Sequence, residues 1–215
     1  MAVIKGSKYP ERRKPVYGWG INDADLQIWV KVDGKRVYDP VYSRWISIVQ
    51  RSNDPKEKAR KPHYKDVYAD DRWKHLTDFQ AWLDTQPYWE ELVLDKDILF
   101  PGNNVYGPDT CVFVPVYINN LVLRRVRNSK YLRGVQINSV GKYNSTSNVT
   151  GKTKSFKTEI EAHQFWQVEY AHYIEEKVSQ YATEKWFNSY VADALLARAW
   201  KLRLDASLGI ITTTI

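Results

Sequence analysis

Between Leu121 and Lys157 the sequence places nine cationic side chains, Arg124, Arg125, Arg127, Lys130, Arg133, Lys142, Lys152, Lys154 and Lys157, and not one Asp or Glu. The whole chain carries a formal net charge of +7, so the rest is slightly acidic and the positive field is concentrated in this segment. Guanidinium and ammonium groups at that density suit phosphates, which a nucleic acid presents in a row. Interleaved with them stand Gln136, Asn138 and Asn144, which with Arg133 and Lys142 are side-chain types able to hydrogen-bond base edges. A second set of polar groups lies upstream in Asp95-Lys96-Asp97, with Thr110 and Asn119 beyond it. On residue type alone these are surface charges on a strand and a turn-capping Asn. His163 and His172 are too far round one helix to share an ion, and with Cys111 the lone cysteine no zinc site forms.

The basic segment needs a scaffold, and its turn chemistry supplies one. Tyr131 to Asn138, Lys142 to Val149 and Lys152 to Lys157 are β-prone, separated by Ser139-Val140-Gly141 and Thr150-Gly151, which predicts a three-stranded meander. Thr158 followed by Glu161 is a capping box that starts a helix. Ala162, Phe165, Trp166, Tyr170, Tyr173 and Ile174 then form an apolar stripe to cover one sheet face, leaving the other face open. A last helix is expected over Trp186 to Leu204, followed by a loose tail from Ala206.

Ahead of these lie an arm and a hairpin about Asp33-Gly34, a helix over Val41 to Arg51 built on Trp45, Ile48 and Val49, and a strand over Tyr64 to Ala69. Thr77 opens a helix carrying Phe79, Trp82 and Leu83. Leu92 to Phe100 reads as a strand running into a turn, Cys111 to Val114 as its partner, and Ile118 to Asn120 as a short helix or turn. With 43% hydrophobic and 14% aromatic residues the chain is globular rather than disordered. One cysteine fits a reducing, cytoplasmic setting. No apolar run reaches membrane-spanning length, and Met1 to Lys14 is too charged for a signal peptide.

The basic segment resembles the ethylene-response-factor (Apetala) type of DNA-binding domain. The resemblance rests on Arg133-Gly134-Val135, Gly141-Lys142-Tyr143, Gly151-Lys152 and Phe156-Lys157-Thr158-Glu159 with Glu161-Ala162-His163. In that family the sheet enters the major groove and the helix supports it. Leu94 to Pro115, followed by Asn119, looks like the HNH motif of phage homing endonucleases, which pair such a motif with that DNA-binding domain. The resemblance implies Asp95 and Asn119 as ligands of a divalent ion, Mg2+ or Mn2+, that stabilises the scissile phosphate, with Thr110 at the middle Asn position. Lys96 stands where the water-activating His belongs, and a protonated Lys cannot take water's proton. Asp97 or His75 would have to act as base instead, and neither has the motif spacing. The order Trp45, Tyr64 to Val67, Trp73, Phe79 and Trp82 is similar to the aromatic framework preceding the motif in those phage proteins.

The expected fold class is α+β: an arm and hairpin over 1–40, an HNH-like ββα-metal domain over 41–125, a DNA-binding sheet packed on a helix over 126–183, and a C-terminal helix and tail over 184–215. The expected partner is double-stranded DNA, with no membrane, and the resemblance implies a phage nuclease of the homing type or a descendant that binds without cutting, placed in the host cytoplasm. The alternative is a catalytically inactive phage protein that inhibits a host enzyme or defence factor.

Overall fold

The computed structural model describes residues 14–25, 28–122 and 129–215. Arg124, Arg125 and Arg127 lie outside the described residues. The fold is mixed α and β, with small separate sheets. It forms two compact units, Met1–Phe113 and Val114–Ile215. Among the described residues no helix is long and apolar enough to cross a membrane.

In the first unit, β1 (Trp29–Val32) and β2 (Lys35–Tyr38) form an antiparallel hairpin. Its turn residues Asp33 and Gly34 both have positive φ, 49° and 79°, the backbone a tight two-residue hairpin demands. Helix α1 (Pro40–Asn53) starts where Asp39 accepts from the Tyr42 amide at 3.0 Å and Pro40 fills the first turn. Its Trp45, Ile48 and Val49 are buried, and the Trp45 indole donates to the Trp73 carbonyl at 2.8 Å. Helix α2 (Pro55–Arg60) follows, capped by Asp54. The strand expected over Tyr64 to Ala69 is shorter: Pro62–Tyr64 is a 3-10 turn, and β3 is only Tyr68–Ala69. Pro62 explains the change, because it has no N–H for a ladder and its φ is preset for the turn. Helix α3 (Leu76–Leu83) buries Leu76, Phe79 and Leu83.

The strand expected over Leu92 to Phe100 also stops early, as β4 (Val93–Asp95). The Asp95 carboxylate accepts from the amides of Asp97 and Ile98, both at 2.7 Å, and this local turn outcompetes a ladder. After a loop, β5 (Val105–Tyr106) pairs parallel with β3, and β6 (Val112–Val114) pairs with β4.

The second unit contains α4 (Val116–Val122), which packs against α5 (Glu159–Tyr181), where the Tyr170 hydroxyl donates to the Leu121 carbonyl at 2.9 Å. Strands β7 (Val135–Ile137), β8 (Tyr143–Thr146) and β9 (Thr153–Phe156) form an antiparallel sheet in that order, backed by α5. Both bonds of the Thr158–Glu161 capping box are present. Helix α6 (Ser189–Leu208) packs on another side of α5 and ends at Gly209 in the left-handed conformation.

The tail is not loose. Gln167 donates to the Ile210 carbonyl and the Thr212 hydroxyl, both at 2.8 Å, the Thr212 amide donates to His163 Nε2 at 3.0 Å, and the Thr212 hydroxyl donates to Asp205 at 3.0 Å. Buried polar groups on the helices hold the strap, so apolar periodicity gave no sign of it.

Candidate nucleic-acid interface and the loop between β4 and β6

The register of the meander sorts its side chains. Val135 pairs across the sheet with Ser145 and then Lys154, and Ile137 with Tyr143 and then Phe156. These rows share the face toward α5, where Val135 and Ser145 are buried and Phe156 lies 5.3 Å from Phe165. Alternation therefore puts Gln136, Asn144 and Ser155 in one row on the opposite, open face, with Thr146 and Thr153 beside them. Asn144 Oδ1 accepts from Ser155 at 2.7 Å and from Asn138 Nδ2 at 3.3 Å, which fixes the orientation of its amide. Gln136 is exposed and makes no side-chain hydrogen bond among the described residues.

The remaining candidates separate into two groups. Lys130, Lys142 and Lys152 are exposed around the sheet, as is Lys157. Arg133 instead lies with its guanidinium 5.3 Å from the Trp166 ring, and Lys154 with its ammonium 4.9 Å from the Phe165 ring. Both turn toward the supporting helix. Burial lowers the pKa of Arg133. Asn138 is occupied by its turn, accepting from the Val140 amide at 3.1 Å and the Lys142 amide at 2.9 Å. Glu159 accepts from the Leu132 backbone amide, and β7, β8 and β9 themselves carry no Asp or Glu.

At the end of β4, Asp95 and the next residue, Lys96, are buried. Burial raises the Asp95 pKa, against the two amides that favour its ionised form. The Lys96 ammonium donates to Asp97 at 2.8 Å and to the Asn103 carbonyl. Asn103, not singled out by the sequence pattern beyond its place in a turn, ties the loop together. Its Nδ2 donates to the carbonyls of Lys96 and Val105, both at 2.8 Å, and its Oδ1 accepts from the Val105 amide at 2.9 Å. Thr110 donates to the same Val105 carbonyl at 2.9 Å, so it braces the loop. Asn119 lies on α4 in the second unit, and its buried Oδ1 has no hydrogen-bond partner among the described residues. His75 faces Asp23 at 2.9 Å, and Asp23 also accepts from the Thr77 amide and hydroxyl, which caps α3. Among the described residues no group of three or more His, Cys, Asp or Glu is placed to hold a metal ion.

No protein-family model, curated protein or solved structure matches the chain.

Proposed function

We propose that this protein binds double-stranded DNA with the open face of β7, β8 and β9, and that α5 holds the sheet without itself reading the duplex. The observation carrying this reading is the row Gln136, Asn144 and Ser155: two carboxamides and a hydroxyl on strands that carry no Asp or Glu, surrounded by exposed lysines. Three strands at roughly 4.8 Å spacing span about 10 Å, and the major groove is about 12 Å wide. A carboxamide can pair bidentately with adenine N6 and N7, while lysines neutralise phosphates without sequence preference. The direct test is equilibrium binding to a panel of duplexes for the parent chain and for Gln136→Ala, Lys142→Ala and Lys177→Ala. The first two weaken binding and the third, on the supporting helix, leaves it unchanged; equal losses for all three would reject this face.

The loop after β4 supports DNA binding without cleavage. An ammonium that donates to a carboxylate and a carbonyl offers no lone pair to water, so Lys96 is a clamp rather than a base. A second reading, a metal-assisted nuclease, draws on the resemblance of Leu94 to Pro115 to a divalent-ion nuclease motif, in which Asp95 would be a hard oxygen ligand. Such an ion would stabilise negative charge on a phosphate. Nicking of supercoiled plasmid with Mg2+ or Mn2+ decides between them: no nicking is expected, and nicking abolished by Asp95→Ala would establish the nuclease.

A further inference from the structure

A second group of cationic side chains lies in the first unit. Tyr64 and Tyr106 act as two aromatic plates. The Arg51 guanidinium lies 5.7 Å from the Tyr64 ring and 5.9 Å from the Tyr106 ring, and it donates to the Tyr106 hydroxyl at 3.1 Å. The Lys61 ammonium stands 5.6 Å from the Tyr64 ring and that of Lys96 5.9 Å from the Tyr106 ring. His63 packs on Tyr64 with 4.1 Å between ring centres. The carboxylates do not balance this charge. Glu57 is shared by Arg60 and Lys61, at 2.5 and 2.9 Å, and Asp97 takes Lys96. Arg51 has no ion pair among the described residues. Burial pushes the Tyr106 phenol up to about 12, so its hydroxyl stays neutral beside Arg51.

We propose that Arg51, Lys61, His63 and Lys96 form a phosphoryl-binding site in the first unit, which takes a phosphodiester of a nucleic acid strand or a free phosphate. A guanidinium fork held by two rings, with most of its N–H groups uncommitted, matches the geometry of phosphate oxygens. The Lys61 and Lys96 ammonium groups, each held by one carboxylate, add positive charge around the two rings. The ring contacts alone would stabilise the loop as cation–π pairs, but they do not require four cationic or titratable groups around two rings. The site stands independently of the sheet.

His63 reports on occupancy. Partial burial and then the charges of Lys61, Arg51 and Lys96 lower its pKa, against the opposing pull of Glu57. A bound phosphoryl group would offset the cationic contribution and raise it. The experiment is NMR titration of the His63 ring proton in the full chain, in chloride, in inorganic phosphate at matched ionic strength, and with a short DNA duplex. An upward shift in phosphate and duplex identifies a general phosphoryl site, and a shift with duplex alone identifies a phosphodiester site. In either case Arg51→Gln abolishes the shift. No shift in either arm overturns the proposal, and this readout in the unsubstituted chain does not depend on the variant folding. Parallel duplex binding by Lys142→Ala/Lys152→Ala keeps the two ideas apart: unchanged affinity there counts against the sheet, whatever His63 does.

Discussion

Gln136 and Arg133 stand three residues apart and meet different surroundings. Arg133 is the side chain whose type most suggests guanine recognition, yet it stacks on Trp166, while the neutral Gln136 faces outward. Residue type was legible in the sequence; side-chain direction was not, because it depends on the register with β8 and on which face α5 covers. Gln136→Ala is therefore expected to cost about 1–3 kcal/mol on its preferred duplex and less elsewhere, flattening discrimination at one base pair. Competition binding across single-base variants measures this. His163 gives a prediction of another kind. Its Nε2 accepts from the Thr212 amide, so Nδ1 carries the proton and donates to the Arg133 carbonyl at 2.8 Å. Burial holds its pKa below the ordinary value, outweighing the Arg133 carbonyl and the Glu159 and Asp205 carboxylates that pull upward, with the Arg133 cation adding to the lowering. A folded pKa below the unfolded value means that the unfolded chain binds the proton first. The stabilisation from neutral His163 is present above about pH 6.5 and is lost as pH falls from there toward the folded value. Thermal melts at stepped pH should show this loss above the carboxylate range, with a smaller loss for His163→Gln, whose amide also supplies one donor and one acceptor. The same acid slope in both proteins would remove His163 as its source.

The elements separate what periodicity encodes from what it does not. Capping signals placed α5 accurately, because Thr158 and Glu161 act within one turn. The early stop of β4 was hidden because Asp95, Lys96 and Asp97 look like strand residues until the Asp95 carboxylate claims two amides. The strap at residues 210–212 was hidden because its partners, His163 and Gln167, lie 49 and 43 residues away in the bonds they make to Thr212 and Ile210. At the start of β7 the packing constraint is sharper. Gly134 has φ +79°, and a Cβ there would lie 1.9 Å from Trp166 Cγ. Gly134→Ala should cost about 1–2 kcal/mol for the left-handed backbone, plus about 1–3 kcal/mol for forcing Trp166 aside. Gly151 also has positive φ, +68°, but open space around its Cβ direction, so Gly151→Ala should show only the first cost. Denaturant midpoints for the pair separate strain from collision. Equal destabilisation would mean that Trp166 moves without cost.

At the scale of the whole molecule, the net charge of +7 is a poor guide to which cations would meet DNA under the proposed reading. Some positive groups are committed internally: Lys154 and Arg133 to aromatic rings on α5, Arg203 to Glu175 by a bidentate ion pair, and Lys201 to Asp205 at 2.7 Å. Lys142 and Lys152 are exposed at the ends of the sheet, where a duplex seated on the open face would bring its phosphates. Each phosphate neutralised releases about 0.9 counterion, so the slope of log affinity against log salt counts the lysines in contact. Lys142→Ala/Lys152→Ala should reduce that slope by about 1.8, with similar affinity losses on matched and mismatched duplexes. Lys154→Ala should change the slope much less, since its ammonium is turned to Phe165. The measurement is fluorescence anisotropy with one duplex over a salt series. A slope that drops for Lys154→Ala and holds for Lys142→Ala/Lys152→Ala would place the DNA on the α5 side, because Lys154 is turned to Phe165 while Lys142 and Lys152 are exposed at the ends of the sheet.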